Sequence, residues 1–169
     1  EGMRSVYPSV TYPAHVSMIT GCYPGTHGLT SNFRFSVKPK EQNWLWHGGY
    51  QVEDLFAAAK KASYTTAAIS WPATAGNPNV DWLMAEYWMP KPGDTLRSSF
   101  SDAGSSEEML KIIEANQCYL PEGWQQGGKA AFMQWPVIDD FNIHVACDVL
   151  REKKPDVCFV HTGTFDTYR

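Results

Sequence analysis

Cysteine is sparse in this chain and never paired. Cys22, Cys118, Cys147 and Cys158 are scattered over 169 residues, and none belongs to a Cys-x-x-Cys motif. That spacing argues against a thiolate zinc site and makes reduced, partly buried thiols the expectation. Long apolar runs are missing too. None approaches the roughly 18 residues that a membrane-spanning helix needs, so no membrane segment is expected within the chain. No charge of one sign dominates. Lys and Arg number 14 against 18 Asp and Glu, interspersed, for a net charge of -4. Without a basic stripe there is no footprint for a polymeric nucleic acid or an acidic membrane surface. Internal repeats and low-complexity tracts are also lacking, and no secretory leader is expected within these residues. The chain opens at Glu1 rather than at a methionine, so a piece cut at both ends is expected and the compartment is left unassigned.

What is present describes one globular unit. Hydrophobic residues make up 43% and charged residues 19%, and the length suffices for a domain with a real core. Seven Trp, eight Tyr and eight Phe suit core and loop packing, with some left to line a cleft. Residues 13–20 read as a short helix with Pro13 in its first turn, where a missing N–H costs nothing. "GCYPGTHG" then stops it. Residues 52–62 have helix-forming composition, with Val52, Leu55, Phe56 and Ala59 on one face. "TTAAISW" (65–71) reads as a buried strand ended by Pro72. Residues 73–104 read as a long loop, and loops of that length are usually functional. Ser105 and Ser106 offer a cap for a helix running to about Ala115, and a Gly-rich turn is expected over 123–128. Asp139 or Asp140 could cap a further helix with Phe141, Val145, Val149 and Leu150 inward. "VCFVHTG" (157–163) reads as a second buried strand. Helices between strands imply parallel pairing through crossovers, hence a layered α/β sheet. In such sheets chemistry gathers beyond the carboxyl ends of the strands, which points at 71–74 and 164–169.

Two residues in these regions carry candidate chemistry. Thr11 sits just ahead of the first helix's N-terminus, where N–H groups and the dipole favour an anion. A threonine hydroxyl needs a base or a metal to become a nucleophile; by itself Thr11 also reads as a helix cap. Asp166 follows the second strand and could bind a metal, or it could be an ordinary turn residue.

Together, the stretches around them resemble one family. "PSVTYPAHVSMITGCYPGTHGLTSN" is similar to the nucleophile motif of type I phosphodiesterases and nucleotide pyrophosphatases, in the alkaline phosphatase superfamily. "AAAKKASYTTAAISWPAT" resembles that family's helix-to-strand passage ending in Trp-Pro. "KKPDVCFVHTGTFDTYR" resembles its strand ending in a metal-ligand Asp. The resemblance spans nearly all of 1–169 and is weakest over 73–135, expected to be a loop or insertion region. It implies a three-layer α/β/α sandwich with a mostly parallel sheet, here truncated. It also implies Thr11 as the nucleophile and a ligand of one of two zinc ions, Asn32 as donor to a phosphate oxygen, and Asp166 as a ligand of one zinc. Two such ions would lower the hydroxyl pKa and stabilise the leaving group, and Asn32 would meet charge growing on a non-bridging oxygen. The implied substrate is a small phosphodiester or nucleotide. Trp71, Trp82, Tyr87 and Trp88 could stack on a base or pack a lid; of these Trp71 is taken as substrate-binding. His15 and His27 fit family positions as structural residues, His47 and His144 have no motif, and His161 lies near Asp166.

The chain also departs from the family pattern. That pattern opens with a strand ending in Asp-Gly, a helix ahead of the nucleophile. Only nine residues lie between Glu1 and Thr11, so Glu1 and Gly2 fit the end of that intervening helix instead. A histidine is expected four residues after Asp166, one beyond Arg169. Asp166 and Thr11 are thus the only members of the expected ligand set present. Weak metal binding, an inactive fragment and self-association through an exposed sheet edge are the consequent expectations. A phosphomonoesterase or phosphonate hydrolase of the same superfamily, or an inactive substrate-binding domain, are the alternatives.

Overall fold

The computed structural model describes residues 2, 4–37, 41–45, 47–86, 93–120 and 135–167. The element order is α1 (Thr11–Thr20), α2 (Pro24–His27), β1 (Phe33–Ser36), β2 (Glu41–Trp44), α3 (Leu55–Lys61), β3 (Thr66–Ile69), β4 (Trp82–Met84), α4 (Leu96–Asp102), α5 (Glu107–Ala115), a 3-10 turn (Gln117–Tyr119), α6 (Trp135–Glu152), β5 (Val157–Val160) and α7 (Thr164–Thr167). Strands β4, β3 and β5 form a parallel sheet in that order, and β1 and β2 form a separate antiparallel pair.

Strand β3 is central, and all four of its residues are buried. Its sequence, TAAI, explains how helices can close on both faces: alanines leave room for their side chains. Alternation along the strand sends Ala67 and Ile69 to one face and Ala68 to the other. On the first face they join Met84 and the residues Phe100, Met109, Ile113, Phe141, Val145 and Val149 of α4, α5 and α6. On the second, Ala68 joins Leu83, Ile19 of α1 and Phe56 of α3. Helices on both faces of a parallel sheet make the three layers expected from the sequence. Each strand start is fixed by a carboxylate. Asp81 accepts the Thr66 N–H at 2.9 Å, and Asp156 accepts the Thr65 N–H at 2.8 Å. Register follows, with Ala68 opposite Leu83 on one side and Phe159 on the other.

Helix ends obey local chemistry. Asp54 caps α3 by accepting the Ala57 N–H at 2.7 Å, and Lys60 and Lys61 occupy its last turn, where cations complement the dipole. Ser106 caps α5, with Glu107 and Glu108 in its first turn, in keeping with the sequence reading. Two inward assignments need correction: Leu55 is 46% exposed and Leu150 49%. Each sits at the margin of its helix's apolar stripe, so propensity and period do not bury it.

The expectation of a long loop over 73–104 is also corrected. The segment contains β4 and α4. Trp82–Met84 is too short to show alternation, and the Ser-rich LRSSFSD of α4 has little intrinsic helicity. Tertiary burial of Leu96 and Phe100 and a capping box between Thr95 and Ser98 supply what composition does not. The expected Gly-rich turn at 123–128 lies outside the described residues. Among the described residues, no helix is long and apolar enough to cross a membrane.

Candidate active site

Helix α1 begins where the extended Val10 (φ -103°, ψ 161°) turns into Thr11. It ends at Gly21, whose φ of 65° is open to glycine at little cost and whose N–H caps the Ser17 carbonyl. Val10 is therefore the capping position, and no side chain caps this helix. Thr11 is its first helical residue, half-buried, with a hydroxyl not spent on capping. The helix-cap reading of Thr11 is thereby corrected.

The first-turn N–H groups can be counted one by one. Tyr12 N–H donates to Asn32 Oδ1 at 2.7 Å. Pro13 has none. Ala14 N–H already donates to the Val10 carbonyl at 3.1 Å. The broad anion site expected from the helix start thus narrows to the Thr11 N–H. The same contact fixes Asn32. A backbone N–H can only donate, so the amide oxygen of Asn32 faces Tyr12 and its NH₂ is left to donate elsewhere. Structure thus brings Asn32 to the residue next to Thr11, across 20 residues of sequence between Tyr12 and Asn32.

His15 lies one turn beyond Thr11. Its Nδ1 donates to the Thr11 carbonyl at 2.7 Å, so it carries the proton there and holds the backbone, not the hydroxyl. Its ring meets Trp71 edge-on at 5.0 Å and His161 at 4.6 Å, and Trp71 in turn packs on Phe159 at 4.9 Å. Trp71 is buried, and its indole N–H has no partner among the described residues. The ring wedges the carboxyl end of β3 against α1. Tyr87 and Trp88 lie outside the described residues.

His27 is fully buried. Leu29 N–H donates to its Nδ1 at 3.2 Å, so the proton sits on Nε2 and is directed to Ser17 Oγ at 3.0 Å. Burial lowers its pKa from 6.5, keeping the ring neutral as this bonding demands. His27 ties the turn after α1 back onto the helix. His47 donates from Nδ1 to the Ala75 carbonyl at 3.0 Å, and His144 stacks on Tyr119.

Sequence reasoning passed over two acids. Glu86, just past β4, is buried beside the buried phenol of Tyr12. Burial and then the neighbouring carboxylate push that phenol's pKa upward, so it stays protonated. Asp139 is the second; the sequence offers it, with Asp140 as the alternative, only as the cap of its own helix. It lies inside α6 instead and accepts the N–H groups of Gly163 and Thr164. A lone acid after an apolar run (WLMAE) was the available signal for Glu86; none marked Asp139.

The backbone of Asp166 lies in α7, past the carboxyl end of β5, and its side chain lies outside what is described. Among the described residues, no group of three or more His, Cys, Asp or Glu could hold a metal ion. The described donors do not by themselves make a zinc pair, which needs three or four ligands per ion.

The sequence profile of the family described as type I phosphodiesterase / nucleotide pyrophosphatase matches residues 1–169. The chain belongs to that family. Human ectonucleotide pyrophosphatase/phosphodiesterase family member 1 is 35% identical over 83 residues, covering 44% of this chain and 9% of that protein. Venom phosphodiesterase from Naja atra is 30% identical over 81 residues, covering 43% and 9%. Among solved structures, phosphonoacetate hydrolase from Sinorhizobium meliloti 1021 superposes with a TM-score of 0.54 at 18% identity, over 92% of this chain and 35% of that one. That likeness is one of fold. The matched stretches span 9% of the two curated relatives and 35% of the solved structure.

Proposed function

We propose that the whole protein hydrolyses phosphodiester or pyrophosphate bonds of small, nucleotide-type substrates, with Thr11 as nucleophile. The observation that carries the reading is the Tyr12–Asn32 contact at 2.7 Å. It commits the Asn32 oxygen to Tyr12, next in sequence to Thr11 with its N–H and hydroxyl, and leaves the Asn32 NH₂ free to donate. These two donors suit one non-bridging phosphate oxygen, whose charge grows as the hydroxyl attacks. In the reaction a bond forms between Thr11 Oγ and phosphorus while the bond to the leaving oxygen breaks. The leaving oxygen takes up a proton, and water then cleaves the threonine ester, which still carries the substrate's remaining phosphate substituent, and restores Thr11. His15 fixes the carbonyl of Thr11 and so the direction of its side chain. Trp71 supports His15 and, through it, the substrate pocket.

Metal dependence belongs to this proposal as a requirement on the whole protein. Thr11 and Asp166 are the candidate ligands here, for a pair of zinc ions, and the remaining ligands would have to come from elsewhere in the polypeptide. Because the described donors do not themselves fit a metal pair, no step is assigned to one. The outer edge of β5, which carries Val157–Val160 with no strand beyond it among the described residues, is proposed as a surface through which the chain self-associates. Sedimentation that stays monomeric at high concentration would exclude this.

The test compares bis(p-nitrophenyl) phosphate, p-nitrophenyl phosphate and a phosphonate as substrates of the whole protein, with rapid quenching and mass analysis of the peptide bearing Thr11. Faster turnover of the diester and a Thr11 bearing a p-nitrophenylphosphoryl group are expected. A preference for the monoester or phosphonate would shift the activity to those alternatives. Substrate binding with no turnover would favour the binding-domain reading.

A further inference from the structure

Asp139 stands on α6, far in sequence from the loop it contacts. Its Oδ1 accepts the Gly163 N–H at 2.8 Å and its Oδ2 the Thr164 N–H at 2.7 Å. Both Asp139 and Gly163 are buried. The two N–H groups are consecutive, at the point where the chain leaves β5 and enters α7. A helix start normally takes its cap from the residue just before it. Here that residue is Gly163, which has no side chain to offer. The cap is supplied instead by a different helix, through charge-assisted bonds that also offset the cost of burying the carboxylate.

The helix that supplies it is a fixed reference. Phe141, Val145 and Val149 of α6 pack in the same core as Ala67 and Ile69 of β3. A bond from Asp139 to 163–164 therefore registers the exit from β5 against the central strand, two residues before Asp166. We infer that Asp139 is a positioning residue for the proposed reaction, setting where the Asp166 turn lies relative to Thr11. This rests on the functional reading above and adds a residue to it.

The experiment uses the whole protein with Asp139→Ala and Asp139→Asn, and Thr11→Ala as a separate control. Three quantities are read: amide hydrogen exchange, kcat and KM for bis(p-nitrophenyl) phosphate. In Asp139→Ala, exchange over 163–167 should quicken about tenfold or more with β3 and α1 unchanged, as for loss of a charge-assisted bond. The kcat should fall about tenfold to a hundredfold with KM nearly constant, since misplacement by about an ångström is that costly. Asp139→Asn keeps one acceptor oxygen and should recover part of the kcat. Unchanged exchange at 163–164, a kcat within about twofold of wild type, or quickened exchange throughout the sheet would each overturn the inference; the last would reduce Asp139 to a stability residue. Full turnover by Thr11→Ala would instead remove the nucleophile assignment, and the exchange data would still decide whether Asp139 holds the loop.

Discussion

The two ends of the candidate site are held in different ways. At the Thr11 end three side-chain contacts are local or nearly so: His15 reaches back one turn to Thr11, His27 reaches Ser17, and Asn32 reaches Tyr12. All of them fall within one continuous stretch of sequence. At the Asp166 end, support comes from 24 residues upstream, through Asp139. A segment braced from within reads as a motif, because its residues must recur at fixed spacings. A segment braced from another helix leaves no local pattern at all.

The largest effect that would sharpen this contrast is expected from Thr11→Ala. Turnover should fall by about a thousandfold or more, as for loss of a nucleophile, with thermal stability nearly unchanged because the hydroxyl is not a cap. Retained turnover would break the assignment. Asn32 offers a finer division. Asn32→Ala removes both the acceptor for Tyr12 N–H and the NH₂ donor, so kcat should drop about a hundredfold and stability by about 1–2 kcal/mol. Asn32→Asp keeps the acceptor and loses the donor. It should retain most of the stability and still lose activity, read by paired melting and kinetic measurements. Equal loss of stability in both variants would show that Asn32 matters only as a brace.

Next in size is the core beneath both ends. Phe56 is fully buried and meets Phe159 at 5.3 Å, so Phe56→Ala should cost about 3–5 kcal/mol in denaturant unfolding. Both ends of the site should then loosen together. The smallest effect is a pH dependence confined to the Thr11 end. Folding lowers the pKa of His27 below its unfolded value of 6.5. The unfolded chain therefore takes up the proton first as pH falls. Stability is present at neutral pH and declines as pH drops from about 6.5 through the folded value. Melting temperatures of wild type and His27→Gln between pH 7 and pH 5 would read this, with the slope smaller in the variant. Identical slopes would remove His27 as its source.

Much of the fold was legible because short-range physics wrote it. The Gly and Pro residues around α1 and α2, the Ser106 cap, and the apolar β3 and β5 segments all announce themselves. Strand β4 and helix α4 did not. Three residues are too few for a period, and a serine-rich helix is stabilised by the burial of Leu96 and Phe100 rather than by its own propensity. The resemblance to the phosphodiesterase family was also carried by sequence, since its motif lies in the locally braced end.

By itself, then, the sequence determined the family, the helix that carries Thr11, and the layered parallel fold, because each depends on spacing and composition within short windows. Only the tertiary structure decided which way Asn32 faces, that one first-turn N–H at Thr11 is left to donate, that Trp71 is wedged against His15, and that Asp139 holds the turn before Asp166. Those depend on distances between segments far apart in the chain, and no local pattern encodes them.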